Sequence, residues 1–235
     1  SGRVKLVRAL IVPKTDEKGQ SRGAAMLLHD GSSQADLEER VQELHVRATL
    51  DGLTKVLNRT EFERIHEEVV KAYLRDGRAC SLMICDIDFF KKINDVHGHQ
   101  AGDEVLINFA AIVKTLCRIG DYVGRFGGEE FVMLCTDCGI QNAVVRAEEV
   151  RRKIADTAQP AIGNQCITAS FGVTELQPGD TPETMLRRAD RALLRAKDEG
   201  RNRVIQLGSG MLDEPIVEQK QSWLFWLANS GTEIV

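Results

Sequence analysis

The chain has 235 residues, 43% of them hydrophobic, with a formal net charge of −4 and a pI near 5.8. That is enough apolar material for a sizeable core, but the balance is too acidic for a general nucleic-acid binder, so any nucleotide must be held at a local site. No run approaches the roughly 20 apolar residues of a membrane span, and the Ser-Gly start has neither an initiator Met nor a signal-like stretch, so the sequence reads as a piece cut from a longer cytoplasmic protein.

Residues 4–13 and 23–29 are apolar runs around the polar turn Thr15-Asp16-Glu17-Lys18-Gly19, which predicts a β-hairpin. An isolated hairpin is marginal in water. The exit Leu27-Leu28-His29-Asp30, followed by Ser32-Ser33, resembles the end of a PAS domain, so residues 1–31 are expected to be a partial sensory domain. Leu37, Val41, Leu44 and Ala48 alternate steps of four and three, with Glu38, Glu39, Arg40 and Glu43 outside the seam. This spacing predicts a dimerising coiled-coil helix over 32–50, the alternative being an ordinary amphipathic helix packed on its own domain.

The main body, 51–208, alternates helix and strand patterns. Asn58-Arg59-Thr60-Glu61 is a capping-box-like start to a helix running to about Asp76 and ended by Gly77. An apolar strand runs from Cys80 to Asp88 and carries Asp86 and Asp88 at its end. A loop follows, then a helix with Val105, Phe109, Ile112, Val113 and Leu116 on one face. Strands at 122–126 and 131–136 flank a glycine turn and predict a second hairpin. A further helix carries Val144, Ala147, Val150 and Ile154, a strand spans 166–173, and the last helix opens at Thr181-Pro182 and stops at Gly200. A final strand, Arg203 to Leu207, completes an alternating α/β domain. The tail, 209–235, carries the apolar cluster Trp223-Leu224-Phe225-Trp226-Leu227.

The six cysteines are scattered through apolar runs, as expected of reduced core thiols. Cys135 and Cys138 form a C-x-x-C without the second pair zinc would need. The chemistry concentrates elsewhere. Gly127-Gly128-Glu129-Glu130 sets two glycines and two carboxylates between strands, and Asp86 closes another strand. If those strands are neighbours, the acids converge on one spot, and gathered hard oxygen ligands suit Mg²⁺ with a nucleotide.

Residues 51 to about 207 resemble the GGDEF domain of diguanylate cyclases. The match runs in order through Asp51-Gly52-Leu53-Thr54, Leu57-Asn58-Arg59, Asp86-Ile87-Asp88-Phe89-Phe90-Lys91-Lys92-Ile93-Asn94-Asp95, Gly98-His99 and Gly102-Asp103. It continues through Gly127-Gly128-Glu129-Glu130-Phe131, Ser170-Phe171-Gly172-Val173, Ala189-Asp190, Ala196-Lys197 and Gly200-Arg201-Asn202. The resemblance implies a ferredoxin-like βαββαβ palm, as in nucleotidyl cyclases, that condenses two GTP into cyclic di-GMP with Mg²⁺ (or Mn²⁺).

On that resemblance Asp86 and Glu129 are metal ligands with the Ile87 carbonyl, while Glu130 either completes the metal site or helps remove the 3′ proton. Backbone amides from Phe89 to Lys91, through Phe90, cradle the β and γ phosphates. Lys197 and Arg201, a helical turn apart, reach the triphosphate. Gly127 and Gly128 let the backbone approach the nucleotide. Asn94 and Asp103 read guanine, whose N–H donors suit a carboxylate, and His99 either stands near the phosphates or is a packing or capping histidine. Arg118-Ile119-Gly120-Asp121 matches the R-x-x-D at which product feeds back, with Arg118 and Asp121 as its ligands. Two positions depart from the family: Glu149 stands where a helping arginine is often found, and Leu194 where Tyr is usual. Activity is expected from a homodimer, because the product ring needs two GTP molecules face to face. The competing readings are a non-catalytic module that binds GTP or cyclic di-GMP, and a cyclase with an adenine-containing product, which Asp103 disfavours. No phosphodiesterase-like segment is visible.

Overall fold

A computed structural model of the chain describes residues 7–15, 20–30, 40 and 44–208. It divides into two compact units between Ala48 and Thr49. In the first unit, β1 (Val7–Thr15) and β2 (Ser21–Asp30) pair antiparallel with Val7 opposite Asp30. The predicted hairpin is therefore present, with β1 reaching two residues past the end of its apolar run and β2 extending beyond its own at both ends, and Ile11 and Met26 are exposed. Residues 44–49 are helical. Leu44 stands 64% exposed, while the seam positions Leu37 and Val41 lie outside the described residues, as does the apolar cluster of the tail.

In the second unit, α1 (Arg59–Asp76) starts where Asn58 Oδ1 accepts the Glu61 N–H at 2.9 Å and stops at Gly77, φ 65°. Only half of a capping box forms. The Glu61 carboxylate turns outward to Arg64, and the Asn58 N–H donates instead to the Thr49 carbonyl at 2.9 Å. The chain continues through β3 (Cys80–Ile87), α2 (Phe90–His97), α3 (His99–Thr115), β4 (Tyr122–Arg125), β5 (Glu130–Thr136) and α4 (Ile140–Ala155). It ends with β6 (Ala158–Gln159), β7 (Gln165–Cys166), β8 (Ala169–Glu175), α5 (Pro182–Asp198) and β9 (Val204–Gln206).

The main sheet has the order β4-β5-β3-β8-β9, antiparallel except for β8 beside β9. Its first four strands, with α2, α3 and α4 as connections, form the expected βαββαβ palm. The α5 crossover adds β9 on the edge. Two expectations need correction. The predicted strand 166–173 is two strands: Gln165 and Cys166 pair with β6 in a separate ribbon, and β8 begins only at Ala169. Gly163 and Asn164, both at positive φ, turn the chain into that ribbon. The stretch after Asp88, expected as loop, turns at once into the eight-residue α2.

Strand β3 runs through the middle of the sheet and is buried along its whole length. Successive side chains alternate between faces. Leu82 and Ile84 join Phe62 and Val70 of α1 and Leu186 and Leu193 of α5, whereas Met83, Cys85 and Ile87 join Phe109 and Val113 of α3 and Val150 of α4. Each such side chain contributes about 1.5–3 kcal/mol on burial. Gly172 of β8 sets the height of α5 above the sheet: a Cβ there would stand 2.1 Å from the Ala189 carbonyl oxygen and 2.4 Å from the Leu193 nitrogen. Helix α5 therefore lies with its backbone on the strand, which decides where its C-terminal residues reach.

Candidate active site

The parity that sends Leu82 and Ile84 toward α1 and α5 sends Asp86 the same way, and Glu130 follows Val132 and Leu134 on β5. The β3–β5 register then sets Asp86 directly opposite Glu130. Cross-strand neighbours hold their Cβ atoms about 4.5–5.5 Å apart, so the two acids are forced together on one face. Lys197, from the last turn of α5, puts its Nζ 2.8 Å from Asp86 Oδ2. Burial pushes the Asp86 carboxyl up to about 6, against the Lys197 ammonium that holds it down, with Glu129 and Asp88 adding repulsion. Burial first, and then the charge of Asp86, push Glu130 up to about 7, with Asp190 and Glu129 contributing. Two carboxylates that resist ionisation side by side make a site that welcomes added positive charge.

Glu129 lies one residue outside the strand, half-buried, and its carbonyl accepts the Ile87 N–H at 3.4 Å. The Ile87 side chain is core, 1% exposed, so only its backbone is available to a ligand. Among the described residues no three acidic, thiol or imidazole groups are gathered tightly enough to enclose an ion. The donor set nevertheless fits Mg²⁺, which takes one or two carboxylates from the protein and its other ligands from phosphates and water. Asp86 and Glu130 are such a pair.

The β4–β5 turn is held by a residue that carried no role in the motif reading. Arg125 donates to the carbonyls of Gly127 (3.2 Å) and Gly128 (3.2 and 2.7 Å), and its Nη1 reaches Asp51 Oδ1 at 3.1 Å. Asp51 in turn caps Thr54 through its N–H (2.8 Å) and its hydroxyl (2.6 Å). The Asp51-Gly52-Leu53-Thr54 segment is thus the brace of the turn that presents the acids. Neither Gly127 nor Gly128 has a positive φ, so backbone strain does not require glycine there. A Cβ on Gly127 would come within 3.1 Å of Glu130 Oε2, while one on Gly128 would meet nothing within 4 Å. Gly128 leaves open space at the rim.

At the start of α2 the N–H groups of Phe90 and Lys91 precede the first helical hydrogen bond, the Lys92 N–H to the Phe89 carbonyl at 2.9 Å. Such groups suit anions. The Phe90 side chain is buried and contributes only backbone, and Lys91 is exposed. Arg201 is not on the helix, as its spacing from Lys197 had implied: α5 ends at Asp198, and Arg201 follows the cap at φ 62°. Its guanidinium lies over the Phe89 ring, 4.6 Å from the centroid. Asp88, also without a role from sequence, accepts from the Thr168 and Ser170 hydroxyls (2.7 Å each) and from the Asn202 N–H (3.1 Å). It ties β8 and the Arg201 turn to the entrance of α2.

Asn94 and the residue beside Asp103 touch. A Cβ on Gly102 would stand 1.9 Å from Asn94 Oδ1, so glycine is what lets the amide settle there, and the exposed Asp103 follows it on α3. His99 is exposed at the start of α3. At the far end of α3, the pair Arg118 and Asp121 is split by burial. Arg118 is exposed. The Asp121 side chain is 1% exposed and pairs with Arg146, and it also accepts the Arg118 N–H (2.7 Å) and the Thr136 N–H (3.2 Å). The arginine that meets Asp121 is therefore Arg146, one turn before Glu149. Cys135 and Cys138 are buried and unbridged, in line with their reading as core thiols. Leu194 is half-buried on α5, and no helix of the described residues is long and apolar enough to cross a membrane.

Comparison with known proteins agrees with this geometry. The family model "Diguanylate cyclase, GGDEF domain" matches residues 48–203. Diguanylate cyclase DgcM of Escherichia coli K12 is 37% identical over 179 residues, 76% of this chain and 42% of its own length. The response regulator PleD of Caulobacter vibrioides is 40% identical over 162 residues, 67% of this chain and 36% of its own. The chain thus spans less than half the length of these relatives. Among solved structures, the coiled coil and GGDEF domain of DgcB from Caulobacter crescentus, in complex with c-di-GMP, superposes with a TM-score of 0.71 at 30% identity, covering 76% of this chain and 96% of that one. With the palm topology, the facing acids and the matched residues 48–203 together, the chain belongs to the GGDEF family of diguanylate cyclase domains.

Proposed function

We propose that this chain condenses two GTP molecules into cyclic di-GMP with release of pyrophosphate. The observation that carries the reading is the cross-strand Asp86–Glu130 pair with Lys197 at its side. In this reading Asp86 and Glu130, with Glu129 at the rim and the Ile87 carbonyl, hold Mg²⁺ or Mn²⁺, which would neutralise charge on the α-phosphate and the leaving pyrophosphate. Lys197 and Arg201 bind phosphate oxygens, as do the amides of Phe90 and Lys91. Asn94 and Asp103 orient guanine, and His99 stands by the phosphates. Gly128, and beside it Gly127, leave room for the ribose and triphosphate. Each 3′ hydroxyl then attacks the α-phosphate of the other GTP, and a carboxylate of the Glu129–Glu130 pair takes the proton.

One domain holds one GTP, so the proposal includes a homodimer, with the 32–50 helix setting how two 51–208 domains approach behind a 1–31 sensory remnant. The DgcB structure, which includes a coiled coil, supports this arrangement. Product feedback is proposed at Arg118, where the guanidinium can fork onto a phosphate. Asp121 would take part only by leaving Arg146, so feedback is expected to be weak. A cytoplasmic setting, where GTP and Mg²⁺ are abundant, belongs to the same reading. The test is chromatographic identification of what forms from GTP and Mg²⁺, with ATP offered in parallel and Glu130→Ala as control. Cyclic di-GMP from the native chain alone supports the proposal. GTP bound but unconverted would favour a binding module, and an adenine-containing product would overturn the specificity.

A further inference from the structure

Phe89 is out of place by the rules of folding. Its backbone takes φ 58°, a left-handed conformation uncommon for any residue but glycine, and its ring stands 62% exposed. Its neighbour Phe90, by contrast, is buried. An aromatic ring held in water by a strained backbone gains little from burial, so its value lies in what it touches. It touches the Arg201 guanidinium, whose Cζ is 4.6 Å from the ring centroid. Arg201 and Asn202 are themselves at φ 62° and 47°. Between the two strained turns sits the Asp88 carboxylate, 5% exposed and bonded to the Asn202 N–H. One buried acid therefore fixes the spacing of both partners of the stack.

The geometry suits a clamp. A ring under a guanidinium covers its flat face and leaves the in-plane N–H donors pointing sideways, where oxygens can receive them. Arg201 has left α5, so no helix orients its stem, and a free arginine side chain on a turn loses much rotamer freedom when it binds. We infer that Phe89 is a positioning residue whose ring holds the Arg201 guanidinium edge-on to the phosphate cradle at the start of α2. The inference rests on the proposed function and extends it. The ring, as distinct from the backbone amides, tunes affinity for the triphosphate and takes no part in bond making.

The experiment measures GTP steady-state kinetics and thermal melting for Phe89→Leu, Phe89→Tyr, Arg201→Ala and the Phe89→Leu/Arg201→Ala double variant. Leucine keeps an apolar side chain and the same backbone strain but removes the π face. Phe89→Leu is expected to raise KM roughly two- to thirtyfold, the span of cation–π contacts, with kcat within about twofold and an unchanged melting temperature. Phe89→Tyr restores KM, and Phe89→Leu adds nothing once Arg201 is alanine. An unchanged KM in Phe89→Leu beside a raised KM in Arg201→Ala overturns the clamp while leaving Arg201 as a phosphate ligand. Equal KM in native, Phe89→Leu and Arg201→Ala proteins removes the phosphate reading of Arg201 itself. A fall in kcat and melting temperature that tyrosine does not restore assigns Phe89 a structural role and also overturns the inference.

Discussion

Replacing Glu130 by Gln should stabilise the metal-free protein while abolishing turnover. Burial and the facing Asp86 push the Glu130 carboxyl from 4.5 to about 7, so folding opposes its ionisation. Each unit is worth 1.36 kcal/mol, which puts the full cost of ionising Glu130 in the folded state at about 3 kcal/mol. The cost is absent below pH 4.5, where the acid is protonated folded or unfolded, and it builds as pH rises through 7. Part of it is relieved by water at this half-buried site, so a gain of about 1–3 kcal/mol is expected for the glutamine variant at pH 8. For a domain of this size that corresponds to about 2–12 °C in melting temperature. Thermal melts in a chelator at pH 8 and pH 5 are the assay. The gain should be full at pH 8 and fall to about a quarter of that at pH 5. Added Mg²⁺ with GTP should narrow it at pH 8 by stabilising only the native protein. A glutamine variant that melts at or below the native temperature at pH 8 would refute the reasoning, because the two carboxylates would then not be in conflict.

Other consequences follow from single residues. His66 is 1% exposed, its Nε2 has no hydrogen-bond partner among the described residues, and burial pushes its imidazole down to about 4; the protein should lose stability as pH falls from 6.5 toward 4, by up to about 3 kcal/mol from this group. Denaturant melts of His66→Leu should lack that component, and parallel pH curves for the two proteins would contradict it. Gly172→Ala drives a Cβ into the α5 backbone; a loss of about 1–3 kcal/mol and a lowered activity are expected, and a silent substitution would mean that α5 does not rest on β8. Asp103→Asn should cut selection for GTP over ATP by about ten- to a hundredfold, the worth of a charged hydrogen bond, in competition assays that score both products.

Much of this fold could be read from residue pattern, and the exceptions share a cause. The long helices announce themselves through caps and apolar spacing, as at Asn58, Gly77 and Thr181, and β3 through its unbroken apolar run. Helix α2 leaves little trace in the sequence because its eight residues, Phe90 to His97, bury a single side chain and so carry almost no periodicity. Ribbon β6–β7 has two residues per strand, too few for alternation to show. In the site, convergence of the acids was legible from two strand ends, but which glutamate faces Asp86 depends on register, and register is a long-range property. The roles of Arg125, Asp88 and Arg146 are of the same kind. Their partners lie 74, 114 and 25 positions away, and no local spacing points to them. Asp190 stands in the matched Ala189-Asp190 pair, but its push on Glu130 depends on how α5 lies over β5, which the sequence does not show.

The central claim is that Asp86 and Glu130 together hold the divalent ion on which guanosine triphosphate reacts. Anomalous diffraction from crystals grown with Mn²⁺ and a non-hydrolysable GTP analogue tests it most directly. The account predicts a manganese peak within about 2.0–2.4 Å of carboxylate oxygens from both residues and in contact with analogue phosphate oxygens. Manganese bound elsewhere, with Lys197 still on Asp86 and the analogue bound, would contradict it.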